Sequence, residues 1–407
     1  MVKRHLEQIC FNEMFGRQMR FISGPRQAGK TTIARNFLVS RELDKLYLNW
    51  DLREIRDRYK VDPYFFETPL YDSKQGEELP WICLDEIHKM PKWKNILKDY
   101  FDKYENKCRF IITGSARLDL FRKSGDSLAG RYFLFKLYPL SLSEVAGSAM
   151  TSLSVDDKAE DLIENKLSRV KYEQSLLDQM LNCSGFPEPL LKAKNGFYRR
   201  WQRDMVDHLV REDLRDLTRI FELENIATLI QLLPGRVGSP LSVNSLKEDV
   251  GIGYTAIKNA ISAMQFVYII FLLPPFSQSI TRSIKKEKKA YFFDWTRCEN
   301  LAKRFENYVA LELKIMIELW NDLGVADFEL FYIRTKDGKE TDFLIIKNSN
   351  PWCLFEAKIK DGPIDSHHYK HSKALGDIPF VQITYENNVL KRSDDYFYRI
   401  SASRFFC

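Results

Sequence analysis

Cysteine is sparse in this chain, seven among 407 residues, and no two form a C-x-x-C pair. An odd number of widely spaced cysteines argues against a disulfide framework or a zinc site and points to a reducing compartment. Long apolar runs are also lacking. The longest, Phe266–Phe276, contains two prolines and is too short to span a bilayer. The opening residues, Met1 to Glu7, carry no apolar signal core. A cytoplasmic protein with no membrane contact is the expectation. Internal repeats and low-complexity tracts are absent. The excess charge is small: a net +6 permits an acidic partner such as nucleic acid without demanding one. The remaining composition, 44% hydrophobic and 29% charged, is that of a soluble globular chain, and its length calls for two to four domains.

The stretch that organises the rest is Gly24, Pro25, Arg26, Gln27, Ala28, Gly29, Lys30 and Thr31, of the form G-x-x-x-x-G-K-[ST], followed by Thr32. An apolar run, Met19–Ser23, precedes it and reads as a strand. Thr32–Leu38 reads as the start of a helix. That context is what a phosphate-binding P-loop requires. The glycines let successive backbone N–H groups turn inward toward an anion, and the helix N-terminus adds its free N–H groups and dipole. Lys30 is placed for the β- and γ-phosphates and the Thr31 hydroxyl for Mg²⁺, so ATP with Mg²⁺ is the expected cofactor pair.

Strand signals then alternate with helices, which implies an α/β fold with a parallel sheet. Lys45–Asp51 and Trp81–Glu86 are two such strands. The second ends in Asp85 and Glu86. Asp85 is placed to hold Mg²⁺ through water, and Glu86 to act as general base on the attacking water. Arg109–Ser115 is a further buried strand, whose Thr113 and Ser115 are alternative sensors of the γ-phosphate. Arg131 follows a glycine just before the strand signal Phe133–Leu137.

Residues 151–222 read as a linker and helical segment. From 223 to 290 the pattern is Ile226–Leu233, Val243–Val250, a glycine turn and Tyr254–Phe266, then the apolar strand Ile269–Leu273. This order reads as a winged helix offering Thr255, Lys258 and Asn259 to a groove. The basic stretch Thr281–Lys289 reads either as a phosphate-backbone contact or as a solvated hairpin arm. The last third, 291–407, begins with a helix over Asn300–Trp320 and continues with strands Phe328–Ile333, Thr341–Ile346 and Trp352–Glu356. Asp342 on one strand and Glu356-x-Lys358 on its neighbour form a D…E-x-K arrangement, able to hold a divalent metal for phosphodiester cleavage. Glu306 or Glu312 on the preceding helix would add a carboxylate.

The stretches GPRQAGKTT, LYLNWD, ICLDEIHKMPKWK, FIITGSARL, LAGRYFLFKLYPLSLSE, CSGFPEPLL, KKAYFFDWT and RFENYVALEL, then ETDFLI with FEAK, together resemble a family. It is the bacterial and archaeal AAA-type ATPases that carry a C-terminal domain of unknown function. The resemblance implies an additional-strand P-loop ATPase core over 1–150, a winged-helix segment, and a restriction-endonuclease-like end domain. It places Lys30, Glu86 and Arg131 in catalysis, Arg131 at the edge of the site.

The resulting expectation is an ATPase whose hydrolysis rearranges the downstream modules, with DNA or RNA as a candidate partner. Its rival is a signalling switch whose end domain binds protein without catalysis, as a homo-oligomer or with another chain. The adjacent Asp85 and Glu86, and the lack of an arginine-rich lid, disfavour a P-loop kinase.

Overall fold

The computed structural model describes residues 2–73, 78–114, 128–168, 172–209, 214, 220–277 and 287–407. The chain divides into two compact units, Leu6–Tyr138 and the remainder, Met1–His5 with Pro139–Cys407. The three segments expected after residue 150 therefore lie within one unit.

The first unit is built on a five-stranded parallel sheet of β1 (Met19–Ser23), β2 (Tyr47–Asn49), β3 (Trp81–Asp85), β4 (Arg109–Thr113) and β5 (Tyr132–Lys136), in the order β2-β3-β4-β1-β5. Every residue of β1 and β3 is buried. Their near-continuous apolar sequences suit strands covered on both faces. The helix Lys30–Val39 covers β3, with Phe37 stacked on Phe11 and set edge-on to Trp81. Among the buried polar residues of this core is a guanidinium. Arg20, fully buried in β1, donates to the carbonyls of Cys10 at 2.9 Å and Gly16 at 3.1 Å. Burying a guanidinium is tolerable only with its donors satisfied, so Arg20 also pins the lead-in, which forms the short helix His5–Cys10 and a turn at Glu13–Phe15. β4 lies between the P-loop strand and the Asp85 strand, as the resemblance implied.

In the second unit, helices Ile220–Leu232, Val243–Val250 and Tyr254–Phe266 lead into the antiparallel pair β6 (Ile270–Leu273) and β7 (Lys289–Phe292). Thr255, Lys258 and Asn259 are exposed on the third of these helices. The 22-residue helix Leu301–Asp322 follows, capped by the Asn300 side chain. It packs on a six-stranded sheet ordered β12-β13-β11-β10-β9-β8. Here β8 (Phe328–Arg334), β9 (Glu340–Lys347) and β10 (Asn350–Lys358) form an antiparallel meander. The helix Ser366–Ala374 then leads to β11 (Phe380–Thr384), parallel to β10. β13 (Phe397–Ser401) runs parallel to β11 and antiparallel to β12 (Leu390–Asp394). Buried aromatics tie the earlier helices to this unit. The Trp295 indole N–H donates to the Met180 carbonyl at 2.9 Å, and Gly185 lies so close to the Trp295 ring that a Cβ there would meet it at 2.6 Å. None of the seven cysteines forms a disulfide, and all are buried.

Candidate functional site

The carboxyl ends of four strands meet at the P-loop. Asn49 is in register with Asp85, Asp85 with Thr113, and Thr113 with Ile22. In open α/β sheets this end is where ligands bind. The loop from Gly24 to Gly29 turns there by backbone conformations that suit glycine: φ is 139° at Gly24 and 101° at Gly29. A Cβ at Gly24 would sit 2.1 Å from the Leu137 carbonyl oxygen. Pro25 and Ala28 are buried, Arg26 is half-buried, and Gln27 is exposed in a left-handed conformation. Thr31 and Thr32 open the first turn of the following helix and are exposed.

Lys30 is folded back into this loop. The residue is only 8% exposed, and its ammonium donates to the carbonyls of Gly24 at 2.9 Å and Pro25 at 2.7 Å. The Thr31 hydroxyl donates to Asp85 Oδ2 at 3.0 Å. The same carboxylate accepts from the Tyr47 hydroxyl at 2.5 Å and from the Thr113 hydroxyl. Tyr47, which sequence reasoning did not single out, is thereby part of the site; its strand position before Asn49 was its one signal. The hydroxyl of Thr113 donates to Asp85 and so supports that acid. Ser115, the alternative sensor, lies outside the described residues.

Glu86 sits one residue past the strand with φ at 58°, held by its backbone N–H donating to the Thr113 carbonyl at 2.9 Å. Burial raises its carboxyl above the ordinary value, and Lys89, 3.6 Å away, offsets part of that rise. A raised carboxylate is a stronger base, which suits proton abstraction near neutral pH. Arg131 is not brought to this place. Its carbonyl accepts from Met19 N, and Tyr132 pairs with Met19 at the start of β1, the end of the sheet opposite the P-loop. Its guanidinium pairs with Asp102 at 3.0 Å. The expectation that Arg131 edges this chain's own nucleotide site is therefore corrected.

The second expected site is assembled, with an addition. Asp342 and Glu356 lie on β9 and β10 just beyond the Phe343–Phe355 pair. Each accepts from the other's strand: Asp342 N donates to Glu356 Oε2 at 3.1 Å, and Ala357 N to Asp342 Oδ2 at 3.0 Å. Lys358 pairs with Glu356 at 2.9 Å. Of the two helix candidates, Glu306 joins the cluster. Glu312 instead accepts the backbone N–H of Leu142 at 2.8 Å, in a separate buried pocket. The addition is Lys289, fully buried, whose ammonium lies 2.5 Å from Glu340, 3.5 Å from Asp342 and 3.5 Å from Glu306. Burial alone would lower its pKa, but Asp342, Glu306 and Glu340 together hold it above the ordinary lysine value. Burial, then repulsion from Asp342, raises both Glu306 and Glu356. Tyr291 donates to Glu306 at 2.8 Å, and Gly238 leaves room for that carboxylate, which a Cβ would meet at 2.4 Å. Lys289 ends the basic stretch that read as a phosphate contact or a solvated arm; residues 281–286 of that stretch lie outside the described residues. Its signal was missed because a fourth lysine in a charged run looks solvated.

Residues 16–146 match the family model of an AAA domain. That match falls largely within the first unit, which is therefore the part of the chain similar to an AAA domain. Residues 174–306 match the model of a domain of unknown function. An uncharacterized protein of Mycobacterium tuberculosis is 22% identical over 377 residues, 89% of this chain and 74% of that protein. One from Methanocaldococcus jannaschii is 23% identical over 338 residues, 78% of this chain and 65% of that protein, and one from Haemophilus influenzae is 22% identical over 343 residues. Among solved structures, a signal transduction ATPase with numerous domains and a tetratricopeptide repeat sensor, from Pyrococcus horikoshii, aligns with 80% of this chain at 13% identity and a TM-score of 0.25. The chain spans 48% of that protein's length. Among the described residues, no helix is long and apolar enough to cross a membrane.

Proposed function

We propose that the chain binds ATP with Mg²⁺ at the P-loop, hydrolyses it, and uses the cycle as a switch acting on its winged-helix and end modules. The observation that carries this reading is the Thr31–Asp85 contact at 3.0 Å, beside a buried Lys30 and a left-handed Glu86. A hydroxyl and a carboxylate converging at a P-loop fit the donor set for Mg²⁺ held on phosphates. In this reading Thr31 and Asp85 hold the ion, which supplies charge neutralisation on the phosphates. Gly24 to Gly29 and Thr32 cradle the phosphates with backbone N–H groups and the helix N-terminus. Lys30 exchanges its two carbonyl partners for phosphate oxygens, and Glu86 takes the proton of the attacking water.

The end module supports the switch over the nucleic-acid enzyme. Its acidic cluster already holds a cation, Lys289, where cleavage chemistry would want a divalent metal. A site neutralised from within favours a catalytically silent module that binds a protein partner.

ATP turnover measured with and without DNA and RNA tests the proposal. Turnover abolished in Lys30→Ala and insensitive to nucleic acid is the expected result. Strong stimulation by DNA or RNA would return the chain to the nucleic-acid enzyme class. Undisturbed ATP affinity in Lys30→Ala would remove the P-loop assignment itself.

A further inference from the structure

Beside the acidic cluster, where β10 gives way to the helix Ser366–Ala374, three residues gather. Asp365, His367 and His368 each offer one ligand atom, and these atoms lie within 4.8 Å of one another; among the described residues this is the group with such spacing.

The hydrogen bonds around the two imidazoles leave one nitrogen of each unclaimed by a protein group. Nε2 of His367 lies 2.8 Å from the Glu340 carbonyl oxygen, which can only accept, so that nitrogen carries the proton and Nδ1 keeps its lone pair. Nδ1 of His368 and Nδ1 of His371 both lie 2.8 Å from the Thr341 hydroxyl oxygen. That hydroxyl has one proton to give, so one of the two rings must donate to it. When His368 donates, its Nε2 keeps a bare lone pair. This Nε2 is buried in a residue only 1% exposed and has no hydrogen-bond partner; the Glu356 carboxylate is 4.0 Å away. A metal ligand histidine ordinarily donates its other ring N–H to a carbonyl, carboxylate or similar acceptor, which fixes ring and tautomer. Glu340 O and Thr341 Oγ1 are such acceptors.

We infer that Asp365, His367 and His368 form a binding site for a borderline divalent transition-metal ion of the zinc class. Two imidazoles and a carboxylate suit such an ion, whereas Mg²⁺ and Ca²⁺ prefer an all-oxygen shell. Ligand atoms of a tetrahedral zinc lie about 3.4 Å apart, from bonds of about 2.0–2.1 Å. Closing from the present spacing asks little of Asp365, which is exposed and precedes the helix. Lys358, whose charge is felt by the same carboxylates, stands beside the site. Three protein ligands leave a coordination position open, as catalytic zinc sites do.

The test uses the full chain, stripped of metal by a chelator and without nucleotide. Zinc is titrated by calorimetry, and cobalt(II) by its visible absorption. The expected result is one equivalent bound per chain, with Asp365→Asn and His367→Ala each weakening it at least about tenfold, since loss of even an outer partner of a metal ligand costs that much. Neither side chain is fully buried, so both variants should fold, and circular dichroism checks that they do. No stoichiometric binding to the wild type overturns the inference. So does binding that both variants retain at full strength, because the ion would then sit elsewhere.

Discussion

The ammonium of Lys289 lies 3.5 Å from Asp342, inside a unit where that lysine has no exposed surface at all. A lysine from the ribbon β6–β7 thus completes a cluster whose acids come from the long helix and from β9. Removing one partner from a buried ionic set leaves uncompensated charge, which typically costs about 3–5 kcal/mol. Lys289→Met is therefore expected to destabilise the second unit by that order near neutral pH. The deficit should shrink toward acid, as Glu306, whose pKa burial raises to about 7, takes up a proton. Added Mn²⁺ should raise the melting temperature of the variant and leave the wild type nearly unchanged. Metal-dependent nicking of DNA by the wild type would show that the cluster is an open catalytic site after all.

Glu86→Gln should bind ATP with little change and hydrolyse it about 10²–10⁴-fold more slowly, the usual contribution of a general base. The amide keeps the shape of the side chain and cannot take a proton. Glu86 already has a raised pKa from burial, so the wild-type rate should climb with pH through a limb above the ordinary carboxylate range. Single-turnover hydrolysis across pH measures both. An unchanged rate in the variant moves proton abstraction to another group.

Arg131→Ala is expected to leave turnover within about twofold of wild type. The side chain pairs with Asp102 at the far end of the sheet, 28% exposed, and surface pairs of this kind contribute roughly 0–1 kcal/mol. An arginine acting across a subunit boundary predicts something else: a loss of turnover that appears only at concentrations where the protein self-associates. Steady-state rates over a dilution series, with light scattering alongside, separate the two.

How far the sequence foretold these features depends on where each signal resides. The P-loop is local: Gly24, Gly29, Lys30 and Thr31 work because of their spacing, and the flanking strand and helix are visible within a dozen residues. The Asp85–Glu86 step is legible for the same reason. Arg131 misled because its meaning depends on strand direction. A residue before a parallel strand falls at the opposite end from a loop that follows one, and pairing Tyr132 with Met19 makes that explicit. Thr113 stayed ambiguous because a hydroxyl at a strand tip serves either a phosphate or the neighbouring acid, and here it donates to Asp85. Lys289 and the His367–His368 pair were missed altogether. Their partners are 17 to 53 positions away for Lys289, from Glu306 to Asp342, and for His368 a threonine 27 positions back. No periodicity reports contacts made by the packing of a whole unit.

Glu312 supplies a pH test of the second unit that involves neither candidate site. Its carboxyl is buried under Leu142 and Tyr308, and burial pushes its pKa from 4.5 to about 8, with the Leu142 N–H opposing the rise. The sign follows from proton counts. Below pH 4.5 both folded and unfolded chains hold the proton, so Glu312 adds no pH dependence. Between 4.5 and about 8 the unfolded chain releases it while the folded chain keeps it, and stability falls as pH rises. Above that range both are ionised and the loss stays constant. The steepest slope one group can give is about 1.4 kcal/mol per pH unit. Glu312→Gln keeps an oxygen to accept from Leu142 N and removes the titration. Its own packing cost is the same at every pH, so the comparison rests on slope alone. Urea unfolding of both proteins at pH 5 and pH 8 should show the wild type losing more stability between the two than the variant. Parallel losses would mean that Glu312 is ionised throughout, with its charge stabilised by neighbours such as Lys166 more strongly than burial opposes it.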